Sequence, residues 1–125
     1  MLRHIKLYGT TSNLGALTIT AGVSAEGLLV AVEWIDGSFA DGVDAVLSVD
    51  RDDDAVDVTL LTLTDANDDA WYYPQTPAQD NVGTDVTYDG TNEIYTRQVI
   101  NGKLKLVVSS GGDTKSGGCI VYYEV

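Results

Sequence analysis

The sequence predicts an all-β protein: a single antiparallel domain over residues 1–125, built as a β-sandwich, jelly roll or small barrel of about 8–10 short strands. Three observations carry this reading. Valine, threonine, isoleucine and tyrosine gather in short runs, and these are the residues that fit a pleated, half-buried surface. The runs are bounded by Gly, Asp, Asn and Ser, with 13 glycines in the chain and only 2 prolines, which is the composition of turns. The runs recur about every ten residues, and none shows a sustained apolar repeat at helical spacing. At 125 residues and 44% hydrophobic content the chain is long enough for one core.

Taken in order, the candidate strands are Arg3–Tyr8, Leu14–Ala21, Gly27–Ile35, Val43–Val49, Ala55–Thr64, Ala70–Tyr73, Asp85–Tyr88, Glu93–Ile100, Lys103–Val108 and Cys119–Val125. Leu28–Ile35 is apolar except for Glu33, as expected of a strand covered on both faces or of a core face backed by an interface. Asp41–Val49 is the nearest candidate for a helical turn. In Ala55–Thr64 the apolar side changes: Val56, Val58 and Leu60 share one face, whereas Leu61 and Leu63 lie on the other. That switch predicts a bulge near Leu60-Leu61, or coverage on both sides. In Lys103–Val108, alternation turns Leu104, Leu106 and Val108 inward and Lys103 and Lys105 outward.

Asn101-Gly102 and Asp89-Gly90 each stand between strand-like runs and predict tight hairpin turns, because both central residues must tolerate positive φ. The glycine-rich stretch Ser109–Gly118 reads as the most mobile loop.

The formal net charge is −12, from 19 acidic and 7 basic residues. Such a surface repels phosphate and anionic lipid, so nucleic acid and membrane are not expected partners. Between Leu7 and Gln98 the only cations are Arg51 and Arg97. The remaining ones cluster toward the two ends, so Arg3, Lys6, Lys103 and Lys105 are candidates for a cationic interface edge if the first and last strands pair. Scattered solubilising charge is the plainer alternative. The single cysteine, Cys119, lies in an apolar run, which excludes an internal disulfide and suggests a buried small hydrophobe. The N-terminal residues carry no apolar block of signal-peptide length, and no run is long enough for a membrane-spanning helix. Synthesis in the cytoplasm without an export signal is the expectation.

No catalytic constellation stands out, and the expectation is a chain that is not an enzyme. His4 is the only histidine, whereas nucleophilic catalysis needs a base beside the nucleophile. Aspartates are so abundant that some carboxylate pair falls at any separation, which removes the signal for glycosidase chemistry. Arg51-Asp52-Asp53-Asp54 reads as a solvated turn. Gly111–Gly118 contains Lys and Ser but lacks the order of a phosphate loop.

Two features point toward ligands. Asp65, Asn67 and Asp69 have the D-x-N-x-D spacing that opens a calcium loop, where oxygens at alternate residues converge on a hard cation. Ala70 stands where that loop needs glycine, and Thr76 where it needs a bidentate glutamate. An Asp/Asn turn bonded to its own backbone explains the residues without metal. Calcium is therefore a candidate, with no other cofactor expected. Trp71, Tyr72 and Tyr73 form an aromatic tip that suits sugar stacking or an interface, as well as a strand alternating core and surface rings.

The C-terminal half carries a resemblance, in Trp71-Tyr72-Tyr73-Pro74, Val86-Thr87-Tyr88-Asp89-Gly90, Val99–Val108, Gly111–Gly117 and Ile120–Tyr123. Together these segments resemble small proteins encoded among the virion genes of tailed bacteriophages. The resemblance implies a capsid decoration (cement) protein. It would be a homo-oligomer in the virion, with the major capsid protein or other virion proteins as partners. A head-completion or tail component, and a carbohydrate- or calcium-binding β-module, are the alternatives. The resemblance implies no catalytic residues.

Overall fold

The computed structural model describes residues 1–51 and 57–125, which hold nine strands and no helix. They are β1 (Leu2–Thr10), β2 (Leu17–Ile35), β3 (Asp44–Asp50), β4 (Val58–Leu63), β5 (Ala70–Tyr72), β6 (Gln75–Pro77), β7 (Tyr95–Arg97), β8 (Val99–Ser109) and β9 (Ser116–Glu124). The acidic run Asp52–Asp54, together with Ala55 and Val56, lies outside the described residues.

β2 organises the molecule. Its first half, Leu17–Leu28, pairs with β8, and its second half, Leu28–Ile35, pairs with β9. Two irregularities bend it, one between Thr20 and Ser24 and one between Leu29 and Ala31. Bulges of this kind let a strand turn a corner and serve two layers. The sheet, ordered β1-β9-β2-β8-β3-β4 and antiparallel in every pairing, therefore doubles over into a sandwich; β5 adds to the second half of β2. The expected first-to-last pairing is present, in nine consecutive β1–β9 pairs from Leu2↔Glu124 to Thr10↔Ser116.

The core lies between the layers. β1, β9 and the second half of β2 supply Leu7, Cys119, Val121, Tyr123, Val32 and Trp34. The facing layer supplies Leu104, Leu106, Val108, Leu47, Val49 and Leu60, among others. The extra residue near Leu29 shifts the inward set of β2 from odd positions (Ala21, Ala25, Leu29) to even ones (Val32, Trp34). Trp34 stacks on Phe39 with ring centroids 5.7 Å apart, and its indole N–H donates to the Ala66 carbonyl oxygen at 3.0 Å, as a buried indole requires. Between the layers is a cavity of about 10 Å³ lined by side chains such as Val32, Trp34, Leu47 and Cys119, room for at most a single water.

The apolar switch in β4 marks a bulge. Leu47 pairs with Leu61 and Ser48 with Thr59, which leaves Leu60 as the additional residue, and both Leu60 and Leu63 are buried. Other expectations need correction. Asp41–Val49 makes a turn and then β3, not a helical turn. Leu14–Ala21 and Gly27–Ile35 are parts of one strand. Asp85–Tyr88 forms only isolated bridges, Gln79↔Asp85 and Thr87↔Glu93.

Asn101-Gly102 is not a hairpin turn. β8 runs through it, with Glu26↔Asn101 and Ala25↔Gly102 paired. Gly102 has φ +150, and a Cβ there would come within 2.8 Å of Val49 Cγ1. The glycine admits the close approach of β3, a role that a strand glycine takes as readily as a turn. Asp89-Gly90 does reverse the chain: Gly90 has φ +82, and the Asp89 carboxylate accepts the Thr91 and Asn92 amides.

Loop 110–115 is held down rather than loose. The Thr11 hydroxyl donates to the Gly112 carbonyl oxygen (2.7 Å) and accepts the Lys115 amide (2.9 Å), while Ala40 N–H donates to Gly111 O and Gly111 N–H to Gly15 O. Nearby, Gly117 leaves space for Phe39, whose ring atom Cε2 would lie 2.5 Å from any Cβ.

Residues 74–98 leave the sandwich as an arm. β6 and β7 pair at its root, Gln75↔Arg97 to Pro77↔Tyr95, and Arg97 bonds Glu124 of the body at 2.7 Å. Farther out, Ala78, Val86 and Ile94 exchange backbone hydrogen bonds, and none of the buried core residues comes from the arm. Asp80 and Asp89 close its two tip loops. Each carboxylate accepts two backbone amides, which holds its pKa below the ordinary range.

Candidate docking face

Alternation along β1 and β9 decides what the outer face of the first layer presents. Leu7, Cys119 and Val121 point into the core, so their neighbours His4, Lys6, Tyr8, Ile120 and Tyr122 point out. The register places His4 beside Tyr122, Tyr122 beside Ala31 and Ile120 beside Glu33, with Trp71 of β5 next to Glu33. Rings from three strands therefore meet on one face.

Trp71 stacks on Tyr122 with centroids 5.2 Å apart and planes 27° apart, and Tyr122 meets His4 at 5.9 Å. Ala31 stands on the outer face between them yet is only 4% exposed, because the rings cover it. The Tyr122 hydroxyl donates to Glu33 Oε1 at 3.2 Å. Desolvation, and then the hydrogen bond and charge of Glu33, raise its pKa, so it remains a neutral donor. At the rim, Lys6 Nζ sits 4.9 Å from the centre of the Tyr8 ring, a cation–π distance. Trp71 remains 50% exposed. The face thus offers aromatic area, one carboxylate and a cation, a mixture suited to recognising a protein surface or a sugar.

The structure separates the seven interface candidates. Lys6 and Trp71 belong to this face. Tyr73 is exposed next to it, whereas Tyr72 turns inward, pairs with Val32 and packs on the core. Arg3 lies at the free edge of the sheet, on the opposite side of β1 from Lys6. Lys103 and Lys105 lie on β8, opposite Asp50 and Ser48, in the other layer. Since β9 and β2 intervene between β1 and β8, the four cations do not form one edge. His4, Tyr8, Glu33 and Tyr122 are face residues that were not among the interface candidates of the sequence. The alternation Ile5/Leu7 inward and His4/Lys6/Tyr8 outward was available, but it has meaning only once the β1–β9 register is known.

Asp65, Asn67 and Asp69 form a structural turn. Asn67 Oδ1 accepts the Gly42 amide at 2.7 Å, Asp69 Oδ1 accepts the Asp36 amide at 2.8 Å, and the Asp65 amide donates to Asp44 Oδ1. Their oxygens fasten loop 65–69 to the loops around Asp36 and Gly42. Among the described residues no three His, Cys, Asp or Glu side chains are grouped to hold a metal ion. Asp36, close to Asp69, Asp41 and Asp68, has its pKa raised by desolvation and by those charges. Cys119 is buried, and desolvation pushes its thiol up to about 12, which leaves almost no thiolate to react.

The chain matches no protein-family model, no curated protein and no solved structure.

Proposed function

We propose that this chain is a non-enzymatic structural protein of a tailed-bacteriophage virion, a capsid decoration protein that lays its aromatic face on the outside of the head shell. The observation that carries the reading is the Trp71–Tyr122–His4 row with Lys6 and Tyr8 beside it. It is a ring-rich surface, and Trp and Tyr are enriched at protein interfaces. The resemblance of the C-terminal half to phage virion proteins supports the choice of partner. Strong acidity supports it too, since a protein outside a filled shell needs no attraction for the genome.

The test is a quantitative mass-spectrometric inventory of purified virus particles that encode the chain. A copy number comparable to that of the major capsid protein is expected. Complete absence from the particle would overturn the proposal, and a few copies per particle would move the protein to the neck or tail. Rebinding to shells stripped of the protein should fail for Trp71→Ala and Tyr8→Ala.

The half-exposed Trp71 ring, beside the polar Glu33–Tyr122 pair, favours a second reading in which the same face binds a carbohydrate. Glycan-array binding lost on Trp71→Ala, in a protein absent from the particle, would establish that reading in place of the first.

A further inference from the structure

The free edge of β1 and the projecting arm have complementary chemistry: the edge is cationic with open backbone groups, and the arm is acidic with exposed apolar side chains. Met1 and Val125 exchange a pair of backbone hydrogen bonds, and the Thr11 amide donates to Lys115 O. With one-to-one register between these points, the odd-numbered residues of β1 bond to β9. Leu2, His4, Lys6, Tyr8 and Thr10 therefore turn their N–H and C=O groups to the open side.

This edge is unlike the others. β4 is interrupted by the Leu60 bulge and β5 has three residues, both ordinary ways of blunting an edge. β1 has nine residues, no bulge and no proline. It is guarded only by Arg3 and Lys6, and no ion pair holds either among the described residues. In a chain of net charge −12, residues 1–25 contain no Asp or Glu. Pairing β1 with its own copy would set these cations against each other. An acidic segment would satisfy both the backbone and the charge.

The arm is such a segment. Between Pro74 and Thr96 it carries Asp80, Asp85, Asp89 and Glu93 and no cation. Val82 is 79% exposed and Tyr88 70%, apolar area that nothing in the chain covers. Asp80 and Asp89 are engaged in their own loops, whereas Asp85 is held only by Gln79.

We infer that the arm of one copy docks on the β1 edge of a second, with Asp85 and Glu93 opposite Arg3 and Lys6. Arm and edge are different surfaces, so the contact is head-to-tail and builds a ring or a chain of copies. It requires no shell, although Lys6 also borders the aromatic face proposed above to dock on one.

Native mass spectrometry and light scattering on the purified full-length protein test it. An oligomer is expected that weakens as salt rises from about 0.05 to 0.5 M, where screening shortens the reach of the charges. Arg3→Glu/Lys6→Glu and Asp85→Lys/Glu93→Lys should each raise the dissociation constant about tenfold or more. Mixing the two variants should restore assembly, because each supplies the charge that the other's edge or arm now lacks. Circular dichroism of each variant checks that it is folded, and the salt series on the unaltered protein needs no variant at all. A monomer at every concentration, an oligomer indifferent to salt and charge reversal, or a mixture that fails to reassemble would overturn the inference.

Discussion

Trp71 and Tyr122 stack at 5.2 Å although their strands, β5 and β9, are separated by β2. The stack spans the strand between them because Ala31, beneath the rings, is too small to intervene. It also explains how a three-residue strand stays in place: β5 has few backbone bonds, and its Trp71 ring anchors it across the face. Trp71→Ala should therefore cost about 1–2 kcal/mol, from the lost stacking and the partial burial, while Trp71→Phe should retain most of it. Urea unfolding checks this through the midpoint, at unchanged slope.

The Leu60 bulge was legible in the sequence because one strand cannot keep Leu60, Leu61 and Leu63 on a single face without an extra residue, and burial of both Leu60 and Leu63 demanded one. Burial of Trp34 was legible because it lies in Leu28–Ile35, which is apolar except for Glu33. Asn101-Gly102 was misleading for a physical reason. A local turn signal states what the backbone tolerates, and here that tolerance serves the approach of Val49 across strands. The aromatic face was the least visible part. Trp71, Tyr122 and His4 lie on three strands distant in sequence, and only the pairing β1-β9-β2-β5 brings them together. The arm was hidden as well, since Asp85–Tyr88 has strand composition but no sheet to join.

Among the described residues Thr11 is the one buried polar residue, 4% exposed, and its hydroxyl joins the start of the β1–β2 connection to loop 110–115. Thr11→Val preserves the shape but leaves the Lys115 amide and the Gly112 carbonyl without that partner. Destabilisation of about 1–3 kcal/mol is expected, the cost of buried groups left unpaired. Hydrogen exchange should show the Lys115 amide losing protection ahead of the β9 amides.

Asp36 gives a pH signature of definite sign. Desolvation and the neighbouring Asp69, Asp41 and Asp68 raise its pKa above the ordinary 3.8, and its Oδ1 has no hydrogen-bond partner. The folded chain thus holds this proton more tightly than the unfolded one. Its contribution to stability falls as pH rises from 3.8 through the raised value. Asp36→Asn should stabilise the protein at pH 7, and the gain should shrink as pH falls toward 3.8. Urea midpoints of both proteins across that range check the prediction; a gain independent of pH would remove the charge explanation.

Removing the arm separates folding from association. Pro77 and Tyr95 already face each other as the last pair of β6 and β7, a geometry that a two-residue Asn-Gly turn can close. Replacing residues 78–94 by that turn keeps the Arg97–Glu124 pair, the Leu29 amide bond to Gln98 O and the Gln98 side-chain bond to Leu60 O. Since none of the buried core residues is removed, the midpoint of unfolding should correspond to a change within about 1 kcal/mol, the scale of a change in loop length. Fluorescence of the buried Trp34 should be unaltered. The same variant should be monomeric, because its β1 edge is intact but the acidic partner is gone. An armless protein that folds and still assembles would place the contact between copies elsewhere; one that fails to fold, with the root bonds all kept, would show that residues 78–94 themselves support the sandwich.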